Sequence, residues 1–460
     1  MNHFFYRHNT TYDSITTILN DGEQCKYERL INDPNIINAI SKQTYGISEI
    51  MFQNIDKIID EKKYITKAYK IMIYLTRFYA MKISKCDRIF QLLTSILLKQ
   101  NHEKFELAFV ASIFFEMANT FNYKILHHIC KKSEFTHLYI NHICYECVYD
   151  SLLNLSMNNN RVISNFFEDI HTTKQLMEII LPNSQKQIQN TTLEKVMMIL
   201  YRLIQNAEHD SLLILDINEI ENIIFILDNA FNNKSDKIRN SCFLFLSEMY
   251  SQHDQYEYSS SFNDEIKSDT SVDNPLDHTI YSSINANFLK LCDYIMNSSI
   301  FRESHSTVCS FITQIIRSTD MGISEEIIQL INSLYKKCFE YKTNNFLHQA
   351  FLNFFISNTN SSNINYVIDQ INFKESILND LENEVLMSGF IFRLITHIND
   401  NITKSSEDNS KITTWFHLLT NVHTSYYKRI TGTYGGKSAR SFLYDDFADD
   451  FDDNEEIILC

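Results

Sequence analysis

Glycine occurs 7 times and proline 3 times in this chain of 460 residues. Tight turns draw on those two residues, glycine for positive φ and proline for a preset φ. A strand-rich fold turns every few residues and would need many more of both. Long helices with short connections need few. The apolar pattern agrees with the second option. In "AYKIMIYLTRFYAMKI" the side chains of Ile71, Ile73, Leu75, Phe78 and Met81 crowd one broad side of a helix. "FELAFVASIFFEMANTF" is apolar almost all round and is expected as an inner helix. Similar segments run through 193–206, 211–231, 238–250, 284–298, 307–317, 323–340, 345–357, 365–379, 383–398 and 413–427. Roughly twenty helices of ordinary length are expected, with Asn, Ser and Asp in the connectors. Helices of this kind in series predict an all-α chain, an α-solenoid of armadillo or HEAT-like helical repeats. No crisp sequence repeat is present, so a compact multi-helix bundle is the alternative.

The helical pattern is expected over residues 1–430 as one domain. It is interrupted by "SQHDQYEYSSSFNDEIKSDTSVDNPLDHT", Ser251 to Thr279, which is polar without a sustained period and predicts a mobile loop between two halves of the array. Shorter loops are expected at 182–192 and 400–411. Residues 431–460 read as a disordered tail. It holds Gly432, Gly435 and Gly436 and then the run "YDDFADDFDDNEEI", with eight acids between Asp445 and Glu456.

Those eight acids are half of the formal net charge of −16. The body is only mildly acidic, with its charges on solvated helix faces. This balance argues against a sequence-independent grip on nucleic acid, which needs the opposite sign. The opening "MNHFFYRHNTTYDS" lacks the form of a signal peptide. No apolar run approaches the roughly 18 residues that span a bilayer, so membrane insertion is not expected. With 10 scattered cysteines, the reading is reduced thiols in the cytoplasm, with the nucleus as a second location.

Chemistry is sparse. "HICYECVYDSLLNL" holds Cys144 and Cys147 in a C-x-x-C directly after His142. On one continuous helix the two thiols lie about 60° apart, whereas His142 lies about 160° from Cys144 and cannot join them. Zinc needs four converging ligands. The cysteines fall on the stripe Ile140, Cys144, Cys147, Leu152 and Leu155, so a core role is the expectation over zinc or redox chemistry. "GGK" at Gly435 lacks the spacing of a phosphate loop, and no G-x-S-x-G or H-E-x-x-H is present. No catalytic residue, cofactor or metal is assigned. A long helical array without a catalytic constellation is usually a binding scaffold.

Several segments, in order, resemble the SAPS-domain family, the regulatory subunits of protein phosphatase 6 and its fungal counterpart. "SITTILNDGEQCKYERLINDPNIINAISKQTYGISEIM" resembles the family's opening. "FELAFVASIFFEMANTFNYKILHHICKKSEFTHLYINHI" is similar to its central block. "HICYECVYDSLLNL" carries His142, Ile143, Asp150, Leu152, Leu153 and Leu155 where the family has the same types. "SNFFEDIHTTKQLMEIILPNS", "NEVLMSGFIFRLITHIND" and "WFHLLTNVHTSYYKRITGTYGGKS" resemble later blocks. "YKTNNFLHQAFLNFF" is the strongest match, with Asn344, Asn345, Phe346, Leu347 and His348 in place. The chain departs from the pattern at several points. Phe105 and Glu106 stand near a family proline, Phe166 replaces a tryptophan, and Lys342 and Thr343 replace an aromatic pair. Cys144 and Cys147 replace a glycine and an alanine, so neither thiol belongs to the pattern, and the glycine implies a helix break there.

The resemblance covers about residues 13–450. It implies a non-catalytic subunit that binds the catalytic subunit of a protein phosphatase 2A-like serine/threonine phosphatase, of the phosphatase 6 type. Such a subunit directs substrate choice or location. An additional ankyrin-type subunit is compatible with it, and metal ions would belong to the catalytic subunit. The partner-binding candidates are Asn344, Asn345, Phe346, His348, His142 and Asp150. Their structural alternatives are an Asn N-cap, a core histidine, and an aspartate that caps or ion-pairs with a neighbouring helix. The alternative function is a generic armadillo-like adaptor in transport or assembly.

Overall fold

A computed structural model describes residues 26–43, 46–181, 189–208, 211–217, 219–263, 277–319, 322–371 and 388–405, with Ile15, Thr17, Ile18, Phe373, His417 and Thr420 besides. The described residues form 23 α-helices and no strand. They divide into two compact units, Met1–Ile284 and Asn285–Cys460, where the sequence pattern had suggested a single domain over 1–430.

The first unit contains α1 (Lys26–Asn32), α2 (Ile36–Ser41), α3 (Ile47–Gln53), α4 (Ile55–Ile59), α5 (Ile65–Ile83), α6 (Asp87–Leu97), α7 (Lys104–Ala118) and α8 (Tyr123–Cys130). It continues with α9 (Ser133–Asn141), α10 (Glu146–Ser156), α11 (Arg161–Asp169), α12 (Thr172–Ile180), α13 (Asn190–Gln205), α14 (Leu212–Leu215), α15 (Ile220–Asn232) and α16 (Asp236–Asn263). Helix α17 (Asp277–Ala286) straddles the boundary. The second unit holds α18 (Phe288–Met296), α19 (Glu303–Ser318), α20 (Glu325–Glu340), α21 (Asn345–Asn358), α22 (Ile364–Gln370) and α23 (Ser388–Ser405).

Each unit is an α-solenoid in its contacts. Every substantial pairing joins helices no more than three apart in chain order, such as α5 with α7, α7 with α10, and α13 with α16. In the second unit α19 packs on α21, α18 on α20, and α21 on α23. A compact bundle would bring distant helices together; a repeat array does not.

The inner helix expected from "FELAFVASIFFEMANTF" is α7. It buries Leu107, Phe109, Val110, Ile113, Phe114 and Met117 between α5 and α10. Tyr69 of α5 stacks on Phe109 with ring centroids 3.9 Å apart, and Phe114 meets Tyr139 of α9 at 4.4 Å. The one buried charge on α7, Glu106, is neutralised by Lys99. Asparagine richness has a local use. Asn122, Asn160 and Asn344 each accept a backbone N–H in the first turn of the helix they precede, at 3.0, 2.9 and 3.0 Å.

Two expectations on segments change. Helix α16 runs on to Asn263 and α17 begins at Asp277, so both ends of the polar stretch 251–279 are helical. Ser251 to Asn263 contains neither glycine nor proline, and nothing in it stops a helix already nucleated upstream. Residues 264–276 lie outside the described residues, as do the tail 431–460 and its acidic run. The other change is at His142, where α9 has ended and α10 has not yet begun. The single helix over 134–156 is therefore two helices. No described helix is long and apolar enough to cross a membrane.

Candidate partner-binding surface

The motif "NNFLH" sits at the junction of α20 and α21. Asn344 is the N-cap of α21, its Oδ1 accepting the Leu347 N–H at 3.0 Å. His348, one turn later, is 5% exposed. Its Nε2 faces the Cys338 carbonyl at 3.2 Å, and its ring stacks on Phe390 of α23 at 4.8 Å. Cys338 lies in the last turn of α20, where helix carbonyls have no partner further along the chain. A carbonyl only accepts, so Nε2 carries the proton. Asn344 thus caps the start of α21, and His348 caps the end of α20. Both structural alternatives weighed for these two residues are what the structure shows.

Asn345 and Phe346 point the other way. Both are exposed, and Phe346 retains 48% of its surface. Its ring lies 6.0 Å from Phe301, in the connection between α18 and α19. That connection is strapped against α20. Lys337 donates to the carbonyls of Ile295 at 2.9 Å and Met296 at 3.2 Å, and to that of Ser298. Tyr341 donates its hydroxyl to the Ser299 carbonyl at 2.8 Å. Burial pushes the Lys337 ammonium below its ordinary pKa, against the pull of Glu340. Ile300, next to Phe301 in this connection, is 57% exposed, and Tyr341 is 38% exposed. One exposed apolar side chain is ordinary, but a fixed group of them rimmed by polar residues marks a contact surface.

Ile300, Tyr341 and Lys337 were not singled out from the sequence. The available signal was "SSIFRE" (Ser298 to Glu303), where Ile300 and Phe301 sit in a short connector off the helical period. Their exposure and strapping depend on Lys337 and Tyr341, roughly forty residues away in sequence, which periodicity does not relate.

The other two candidates, His142 and Asp150, belong to the first unit. Asp150 is exposed on α10 and makes no ion pair among the described residues, which corrects the expected cap or bridge. It is the ordinary solvent-facing position of an amphipathic helix. His142 is the C-cap residue of α9, with Nδ1 2.7 Å from the Leu138 carbonyl and Nε2 3.1 Å from Nε2 of His102.

The break at His142 also moves the cysteines. Cys144 is exposed in the turn and Cys147 half-buried in the first turn of α10, so the core role expected of both does not hold. Lys195 of α13 spans this turn, donating to the Cys144 carbonyl at 2.9 Å and pairing with Glu146 at 2.7 Å. Burial raises the pKa of both thiols above the ordinary value despite that lysine. Among the described residues no three His, Cys, Asp or Glu side chains group as a metal cluster.

A concavity of about 540 Å³ lies in the first unit between α11 and Asn206, Glu208 and Ser211. Its polar lining includes Arg161, Glu168, Asp169 and Glu208. Arg161 reaches Glu208 at 3.4 Å, and Ser211 donates to Glu168.

No family model matches the chain, and no curated protein matches it. Among solved structures the chain is similar to an engineered protein known from a crystal structure. That match has 9% identity and a TM-score of 0.42, covering 90% of this chain and 99% of the other.

Proposed function

We propose that this chain is a non-catalytic regulatory subunit that binds the catalytic subunit of a phosphatase 6-type serine/threonine phosphatase and directs its substrate choice or location. The reading rests on the ordered resemblance to the SAPS-domain family. The observation that carries it further is the exposed Phe346, its ring 6.0 Å from that of Phe301, at the start of the helix bearing the best-matched motif. An exposed aromatic side chain is the kind of residue that dominates a protein–protein contact. Within the motif, Asn345 and Phe346 are available to a partner, while Asn344 and His348 hold the two helices that present them.

The test is affinity capture with the tagged full-length chain, followed by identification of bound phosphatase catalytic subunits. Recovery of a phosphatase 6-type subunit is expected. Phe346→Ala should reduce recovery at least tenfold with little change in melting temperature. Capture of transport or assembly factors without a phosphatase would favour the adaptor reading. Unchanged recovery by Phe346→Ala would remove the patch from the contact.

A further inference from the structure

We propose that His102 and His142 form a binding site for a divalent transition-metal cation, zinc foremost, between the connection that precedes α7 and the turn that follows α9. The two imidazoles meet Nε2 to Nε2 at 3.1 Å, with ring planes crossed at 80° and centroids 4.9 Å apart. The Nδ1 of His142 faces the Leu138 carbonyl at 2.7 Å. Because a carbonyl only accepts, that nitrogen holds the proton of the neutral ring, and Nε2 is a bare lone pair aimed at His102. Metal-binding histidines use this arrangement, a backbone carbonyl fixing the tautomer and orienting the free nitrogen.

Two lone pairs cannot face each other at this distance unless a proton or a cation lies between them. Zinc–nitrogen bonds of about 2.0–2.1 Å place two ligand nitrogens about 3.3 Å apart at the tetrahedral angle and about 2.9 Å apart at a right angle. The observed separation falls within that range. In the metal-free chain one proton lies between the two Nε2 atoms as a hydrogen bond, and a bound cation would take its place.

Tyr145 closes one side, its ring centroid 5.7 Å from that of His102 and 5.9 Å from that of His142. With no group of three protein ligands among the described residues, water completes the coordination. Two imidazoles select zinc, nickel or copper over magnesium and calcium, which prefer oxygen. Bound metal would tie together two connections that are 40 positions apart in the chain.

The experiment is a calorimetric titration of chelator-treated full-length protein with zinc chloride at pH 7.5. It is run on the wild type, His102→Gln, His142→Gln and the double variant. The wild type should bind one more equivalent than the double variant, and each single variant should lose that equivalent or hold it at least tenfold more weakly. Magnesium chloride should give no such difference. Equal stoichiometry and affinity in the wild type and double variant would overturn the site. A second measurement needs no variant: zinc should slow acylation of His102 and His142 by diethyl pyrocarbonate, mapped by mass spectrometry. Acylation at both positions unaffected by zinc would also overturn it.

Discussion

Replacing His348 with alanine separates structure from contact within the motif "NNFLH". The imidazole is 5% exposed, donates to the otherwise unpaired Cys338 carbonyl at 3.2 Å, and stacks on Phe390 at 4.8 Å. Leaving that carbonyl unsatisfied costs about 1–3 kcal/mol. Losing the ring contact costs about 0.5–1.5 kcal/mol more. A loss near 3 kcal/mol lowers the melting temperature of a unit this size by about 6–12 °C. Differential scanning calorimetry on the full-length chain reads the transition directly. His348→Gln should recover part of the loss, because its amide can still donate to Cys338. Asn345→Ala should change stability by less than about 0.5 kcal/mol, as an exposed substitution does. If His348→Ala shifts the transition by less than about 1 °C, the capping role assigned to His348 is wrong.

Three further outcomes are expected. Lys337→Met removes the cation that holds the carbonyls of Ile295, Met296 and Ser298; the loss should be about 1.5–3 kcal/mol by urea denaturation, since the donor is charged. Burial, the leading cause, raises the Glu248 carboxyl above its ordinary value of 4.5. The folded state therefore holds its proton more tightly, and stability falls as pH rises from 4.5 through the raised pKa. Glu248→Gln should accordingly be more stable than the wild type at pH 7, and that advantage should shrink below pH 4.5 in parallel melts. The Cys144 thiol, exposed but raised in pKa, should alkylate with iodoacetamide at pH 7.5 more slowly than free cysteine. Mass spectrometry showing faster labelling would contradict that assignment.

The scarcity of glycine and proline and the helical apolar period determined the all-α class, the succession of helices and the inner position of α7. These are local properties: each helix is specified within its own few turns by propensity, caps and period. Asn344, the first residue of "NNFLH", already carried its capping role for the same reason. The cysteines marked the limit of that logic. On one uninterrupted helix they fall on a core stripe, and only the break at His142 turns Cys144 outward. The resemblance implied the break through a glycine position; the period alone did not.

Tertiary structure decided what each motif residue faces. Phe346 and His348 are two positions apart, yet one stays 48% exposed and the other is buried against α20 and α23. On a helix two positions is more than half a turn, so neighbours on opposite sides decide exposure. Phe301 met Phe346 because Lys337 and Tyr341 strap its connector in place, and His102 met His142 because α7 and α10 pack together. Those meetings join residues about forty positions apart. Period and propensity set each helix, but the packing of successive helices sets which connectors and side chains lie side by side.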